Sequence, residues 1–285
     1  MSDDHLNLAL GEDAGGDSRW AFGTGFEDPL HGVDTAVPNG VNAGQLAAYC
    51  LALGDDALVS AQRLAQWCTR APELEVELAL ANIGLDLLGQ ARLLYSRAGQ
   101  ADGTGRGEDH FAYFRDASQF RNVRLAELPT GDFAFSMVRL LVLSAWRLAV
   151  FRALTEAEDK VLAAVAAKGV KELTYHRQFA AEWVVRLGDG TQESHRRAQA
   201  ALTEVAPWIS ELFNDCSGEN FGVSSEAVED DTRQVLAEVA EAAVLALPEL
   251  ATATHGGRGG RHTEYLEPLL NELQYVARAH PEGTW

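Results

Sequence analysis

The stretch APELEVELALANIGLDLLGQARLLY, Ala71 to Tyr95, constrains the fold more than any other part of this chain. It reads as one long helix opening on a proline, which suits a first helical turn. From Val76 to Leu88 it is apolar almost all round. A helix without a polar face belongs in the centre of a large fold. Asn82, Asp86 and Gln90 interrupt the run at four-residue spacing, so they share one face. Downstream, KELTYHRQFAAEWV sets Glu172 and His176 four apart on a second amphipathic helix. Two inward-looking helices with carboxylate, amide and imidazole groups suggest the interior of a four-helix bundle, where carboxylate-bridged di-iron centres are built. Such a centre needs a Glu with a His three residues later. Here Leu87 stands three before Gln90, and Leu173 three before His176. The chain has the look of a metal-site scaffold with its ligands removed.

The rest of the sequence is helix after helix. Helical patterning covers about 43–69, 72–98, 109–119, 133–158, 160–187, 192–214, 230–246 and 263–279, with Gly54-Asp55-Asp56 as a kink or a fresh N-cap in the first. No alternating pattern is long enough for a sheet, and no short repeat appears. The expected architecture is one all-α domain built on a bundle, residues 41–285. Residues 1–40 are rich in Gly and Asp and are expected to form a flexible extension. Its Trp20, Phe22 and Phe26 could clip onto the body or onto a partner.

A formal net charge of −19 disfavours nucleic acid, whose phosphates would be repelled. Cys50, Cys68 and Cys216 are too scattered for a disulfide framework or a zinc site. They read as thiols in a reducing cytosol. The N-terminus lacks an apolar signal core. The apolar run in 72–98 is too short and too interrupted by Glu75, Glu77 and Asp86 to span a membrane. The expectation is a soluble cytoplasmic protein with no membrane contact.

Three groups of residues invite chemistry. The Asn82/Asp86/Gln90 stripe could be a ligand set, a proton relay or a structural polar seam. The seam is favoured, because a lone histidine cannot supply a metal's usual set. His176 and Glu172 could act as base and orienter, against a satisfied core histidine as the favoured reading. Lys168, four residues before Glu172, could neutralise that carboxylate where a metal would otherwise do so. The segment RDASQFRNVR, 115–124, is basic in an acidic chain. Arg121 beside Phe120 and Asn122 could receive a phosphate and an adenine ring, or the arginines could pair with the protein's own acids. Both readings stay open. THGGRGGRHTEY, 254–265, has the glycines of a phosphate loop ahead of a helix, but no preceding strand and no Gly-Lys-Ser/Thr ending. A flexible or partner-ordered loop is the better expectation.

The segments LALGDDALVSAQRLAQWCTRAPELEVELALANIGLDLLGQAR (51–92), VKELTYHRQF (170–179) and GRHTEYLEPLLNELQYV (260–276) closely resemble the structural subunit of the bacterial 1,2-phenylacetyl-CoA epoxidase family, the phenylacetate ring-activating oxygenases. The resemblance runs from about residue 43 to Trp285. It implies a ferritin-like helical bundle with additional helices. It also implies a non-catalytic subunit beside a homologous catalytic subunit that holds the di-iron centre. A reductase subunit with flavin and iron–sulfur groups would deliver electrons from NADPH, and one oxygen atom of O₂ would enter the ring of phenylacetyl-CoA as an epoxide. No cofactor is implied in this chain. The family's two Glu-x-x-His motifs fall at Leu87-Leu88-Gly89-Gln90 and Leu173-Thr174-Tyr175-His176, and its third-helix carboxylate best matches Ser144. The first-helix position lies near Asp55 or Asp56. With Asp86 and Glu172 beside them, these are degenerate metal-site positions. Gln119, Phe120, Arg121 and Asn122 match a stretch near the CoA part of the substrate, and Val223, Ser224 and Ser225 approach it too. Two rival readings are a free-standing di-metal oxidase with atypical ligands and an acyl-CoA binding module.

Overall fold

The structure, a computed structural model, describes residues 30, 32–214, 216–250 and 256–283. Among them every regular element is helical. The bundle is formed by α1 (Ala43–Ala65), α2 (Leu74–Ala101), α5 (Phe133–Leu154) and α6 (Lys160–Gly188). Short α3 (Glu108–Tyr113) and α4 (Arg124–Glu127) lie in the crossover between the two halves. α7 (Gln192–Ile209), α8 (Ser225–Ala242) and α9 (Leu266–Ala279) follow. α1 packs along α2, α5 along α6, and α2 meets α6 to join the pairs; α7 and α8 lie against α5.

Local chemistry sets the helix starts. Asn42, Asp132, Asp159, Thr191 and Ser224 each accept a backbone N–H of the first turn, satisfying one of the donors that a helix start leaves open. α2 begins at Leu74 with Glu73 as N-cap, so Pro72 precedes the helix instead of opening it. α1 runs unbroken through Gly54-Asp55-Asp56, with no fresh cap there. Gly54 is there for packing. A Cβ on it would lie 2.6 Å from Cε1 of Tyr95, too close for any side chain.

The helix at the centre is α5, not α2. Phe133–Leu154 is long and apolar enough to cross a membrane by length and composition, yet 94% of its apolar window is buried inside the bundle. α2 buries Val76, Leu80, Ile83, Leu87 and Leu94 against its neighbours. It leaves Leu74, Leu78, Leu85 and Leu88 exposed, at 67, 56, 58 and 38%. Its all-round apolarity is therefore an inner face plus an uncovered outer strip.

Residues 32–42 are anchored to the body. Val33 and Val37 pack on the core, and the Thr35 carbonyl accepts from Nη1 of Arg97 at 2.7 Å. The expected boundary at residue 40 falls inside this anchored stretch. Trp20, Phe22 and Phe26 lie outside the described residues.

Candidate functional site

The bundle interior holds a chain of polar side chains where four helices face one another. From α5, Arg147 donates Nε to Oε1 of Gln90 on α2 at 2.9 Å and Nη1 to the Leu53 carbonyl of α1 at 3.1 Å. Gln90 passes the polarity on, donating Nε2 to Glu172 of α6 at 2.9 Å. Lys168, one turn earlier, pairs with the same carboxylate. Arg147, Gln90 and His176 are all buried. Burial pushes the Arg147 guanidinium down to about 10, against the pull of Asp56. Arg139, about two turns earlier on α5, rests on the carbonyls of Leu128 and Pro129. Burial, then Arg63, pushes it down to about 9.

His176 does not pair with Glu172. Its Nε2 lies 2.9 Å from Oδ2 of Asp86, whose side chain is 37% exposed, and its Nδ1 is buried without a partner. The base-and-orienter pair is thus not formed, and the satisfied core histidine is satisfied on one nitrogen only. The expected seam also climbs out of the core. Gln90 is buried, Asp86 half-buried and Asn82 exposed. At 3.6 residues per turn, each four-residue step drifts about 40° around the axis, so two steps carry the stripe from interior to surface. Asp86→Leu is expected to destabilise the chain by about 1–3 kcal/mol, because it leaves His176 with no partner on either nitrogen. Urea melts measure this. The larger loss of an unpaired buried charge is not expected, since Asp86 reaches water.

Asp55 and Asp56 on α1 face inward and are buried. Asp55 pairs with Arg115 and accepts from Tyr95 Oη at 2.6 Å and from the Arg121 N–H at 2.8 Å. Asp56 takes both Nη atoms of Arg258 at 3.0 and 2.7 Å. Burial raises Asp56 and Arg258 opposes the rise. Arg258 also donates to the Arg121 carbonyl at 2.6 Å. The glycine-rich loop is therefore a hook into α1, not a phosphate cradle. The Gly257 N–H binds the carboxylate of Glu211 at 2.8 Å, and a Cβ on Gly257 would lie 1.8 Å from the Asn122 carbonyl oxygen. The stretch 256–260 is ordered by this chain itself; residues 251–255 lie outside the described ones.

In the basic segment the two open readings divide. Arg115 pairs with Asp55, and Arg124 with Glu211. Arg121 finds no acid among the described residues. It donates Nη1 to the carbonyls of Ser118 and Phe120 at 2.8 and 2.6 Å and stays half-exposed. Gln119 and Ser224 are exposed and Ser225 half-buried. Phe120 is buried under the Arg115 guanidinium, 4.2 Å from the ring centre. Asn122 is buried on Glu127 at 2.9 Å, and Val223 is buried. These three hold the segments in place from within.

Arg147 and Arg139 were missed by sequence reasoning. The available signal was two arginines inside a helix with no polar face; an arginine there must find buried partners.

A di-iron centre would need about four carboxylates and two histidines here. Leu87, Leu173 and Ser144 offer no carboxylate. Glu172 is engaged by Lys168 and Gln90, and Gln90 by Arg147. Among the described residues no three His, Cys, Asp or Glu converge as a metal site. A guanidinium hydrogen-bonded to Gln90 also repels a dication. These residues do not fit a di-iron centre.

Comparison with known proteins adds two findings. The family model described as phenylacetic acid catabolic protein matches residues 33–285. A subunit of the 1,2-phenylacetyl-CoA epoxidase of Escherichia coli (strain K12) is 44% identical over 249 residues, covering 85% of this chain and 99% of that relative.

Proposed function

Because the chain belongs to the phenylacetic acid catabolic protein family, whose fold is the ferritin-like helical bundle, we propose that it is the non-catalytic structural subunit of a multicomponent di-iron monooxygenase acting on phenylacetyl-CoA. The observation that carries this is the Arg147–Gln90–Glu172–Lys168 chain. Gln90 and Glu172 in this chain are among the positions that the family resemblance gives as degenerate metal-site positions. The interior is thereby held together by the protein's own cations, and the chain acts as a scaffold in the cytoplasm beside a homologous catalytic subunit. That partner carries the iron, and a reductase with flavin and iron–sulfur groups feeds it from NADPH. The degenerate positions are Asp86, Leu87, Gln90, Ser144, Glu172, Leu173 and His176.

The uncovered strip on α2 supports a partner. Leu74, Leu78, Leu85 and Leu88 fall within about 80° of one another around the helix, and contiguous exposed apolar surface of this kind marks interaction sites. Co-expression with the homologous oxygenase subunit tests the reading. The pair is expected to co-purify and to epoxidise phenylacetyl-CoA with the reductase, while this chain alone does not.

The accessible side chains of Gln119, Arg121 and Ser224 support a CoA contact at the junction with the catalytic subunit. A charge-assisted bond from Arg121 to phosphate is worth about 1.5–3 kcal/mol. Arg121→Ala is then expected to weaken phenylacetyl-CoA binding by the complex about ten- to a hundredfold. The fold should be unchanged, because the side chain bonds only to two nearby carbonyls. Calorimetric titration of wild type and variant decides it. Equal affinities would remove Arg121 from the CoA site.

A further inference from the structure

We propose that the bundle interior binds one small monovalent anion, of chloride size and charge, in the cavity between Arg147 and His176. The cavity measures about 30 Å³, room for a species of water or halide size and little more. Leu87, Leu140 and Leu173 are among the apolar side chains that line it. Its charged lining is one-sided: Arg63, Arg139 and Arg147 against Asp56, and Asp56 is already taken by Arg258.

Two polar atoms of this lining group are buried with no partner, Nη2 of Arg147 and Nδ1 of His176. Asp86 holds Nε2 of His176 at the half-exposed edge of the bundle, which turns Nδ1 inward. Arg139 and Arg147 are both more than nine-tenths buried. Their hydrogen bonds go to backbone carbonyls and to the neutral amide of Gln90, not to a carboxylate. Buried charges are ordinarily paired; burial is the first cause that weakens the hold of both guanidiniums on their protons, with no acid pulling the other way at Arg139 and Asp56 the main pull at Arg147. A bridging water would satisfy the orphaned hydrogen bonds but would leave the charge uncompensated. A cation is repelled by the same arginines. An anion answers both requirements, accepting from Arg147 Nη2 at the wall that His176 shares. The inference rests on the interior geometry and needs neither the partner nor the substrate named above.

Crystals of the full chain grown in sodium bromide test it by anomalous scattering. A bromide peak in contact with Arg147 Nη2, beside the His176 ring, is the expected result. Thermal melts at fixed ionic strength give a second reading. Tm is expected to rise saturably with chloride or bromide and not with gluconate, and Arg147→Met is expected to flatten that response. If the variant does not fold, the bromide peak in wild type decides alone. A cavity free of both bromide and iron, or identical melts in chloride and gluconate, would overturn the anion site alone. Iron scattering at that position would overturn it together with the non-catalytic reading.

Discussion

Arg97→Ala is expected to destabilise the chain by about 3–5 kcal/mol, the usual loss when one partner of a buried ion pair is removed. Arg97 and Asp159 are 1 and 0% exposed. Nε of Arg97 donates to Oδ1 of Asp159 at 3.1 Å, and the Nη2 bond closes a two-point clamp. The arginine also holds the Thr35 carbonyl, and Asp159 caps the start of α6. One residue therefore ties the N-terminal stretch, the last turn of α2 and the first turn of α6. Without it, Asp159 stays buried with only the cap bond to the Leu162 N–H, a neutral partner. The double variant Arg97→Met, Asp159→Asn keeps a capping oxygen and removes both charges, so it is expected to lose less than Arg97→Ala alone. Guanidinium melts measure both. A loss below about 1 kcal/mol for Arg97→Ala would mean that the pair is not buried in solution.

The second large effect concerns assembly. Leu78→Glu together with Leu85→Glu is expected to weaken association with the homologous catalytic subunit by a hundredfold or more. Burying a leucine contributes about 1.5–3 kcal/mol, so losing two amounts to at least about 3 kcal/mol, before the cost of burying two carboxylates. Both side chains are more than half exposed in the free chain, so its own stability should change by less than about 0.5 kcal/mol. Sedimentation of the mixed subunits reads the first and thermal melts of the chain alone read the second. Unchanged association would place the interface on another face.

The helical character of the chain and the approximate extent of its long helices were legible in the sequence, because apolar periodicity acts locally; the caps Asn42, Asp132 and Asp159 were not read there, although each adjoins the helix it starts. The pairing of Lys168 with Glu172 was legible for the same reason. What was not legible depends on which way each helix faces. α2 and α5 are both rich in apolar residues; only packing distinguishes the buried α5 from α2 with its bare strip. Asn82 left the seam because a four-residue period is not the helical one. Asp55 and Asp56 looked like a break in α1, and the Tyr95 ring that requires Gly54 is forty-one residues away. The loop at 256–260 looked mobile because glycine reads as freedom, whereas Gly257 is needed for close approach to the Asn122 carbonyl. The burial of Arg147 was signalled by its place in an apolar helix, but its partners were not, because they come from two other helices. The stretch 119–122 was flagged by charge and resemblance together, and burial then divides its members, leaving Gln119 and Arg121 outward and Phe120 and Asn122 inward.

Iron analysis of the purified chain, expressed in iron-rich medium alone and with the homologous catalytic subunit, tests the central claim most directly. Iron is expected to follow the catalytic subunit, at roughly two ions per copy of that partner, with a negligible amount in this chain on its own. A stoichiometric amount of iron in the isolated chain would contradict the account. It would mean that Arg147 leaves Gln90 and that the interior is a working metal site.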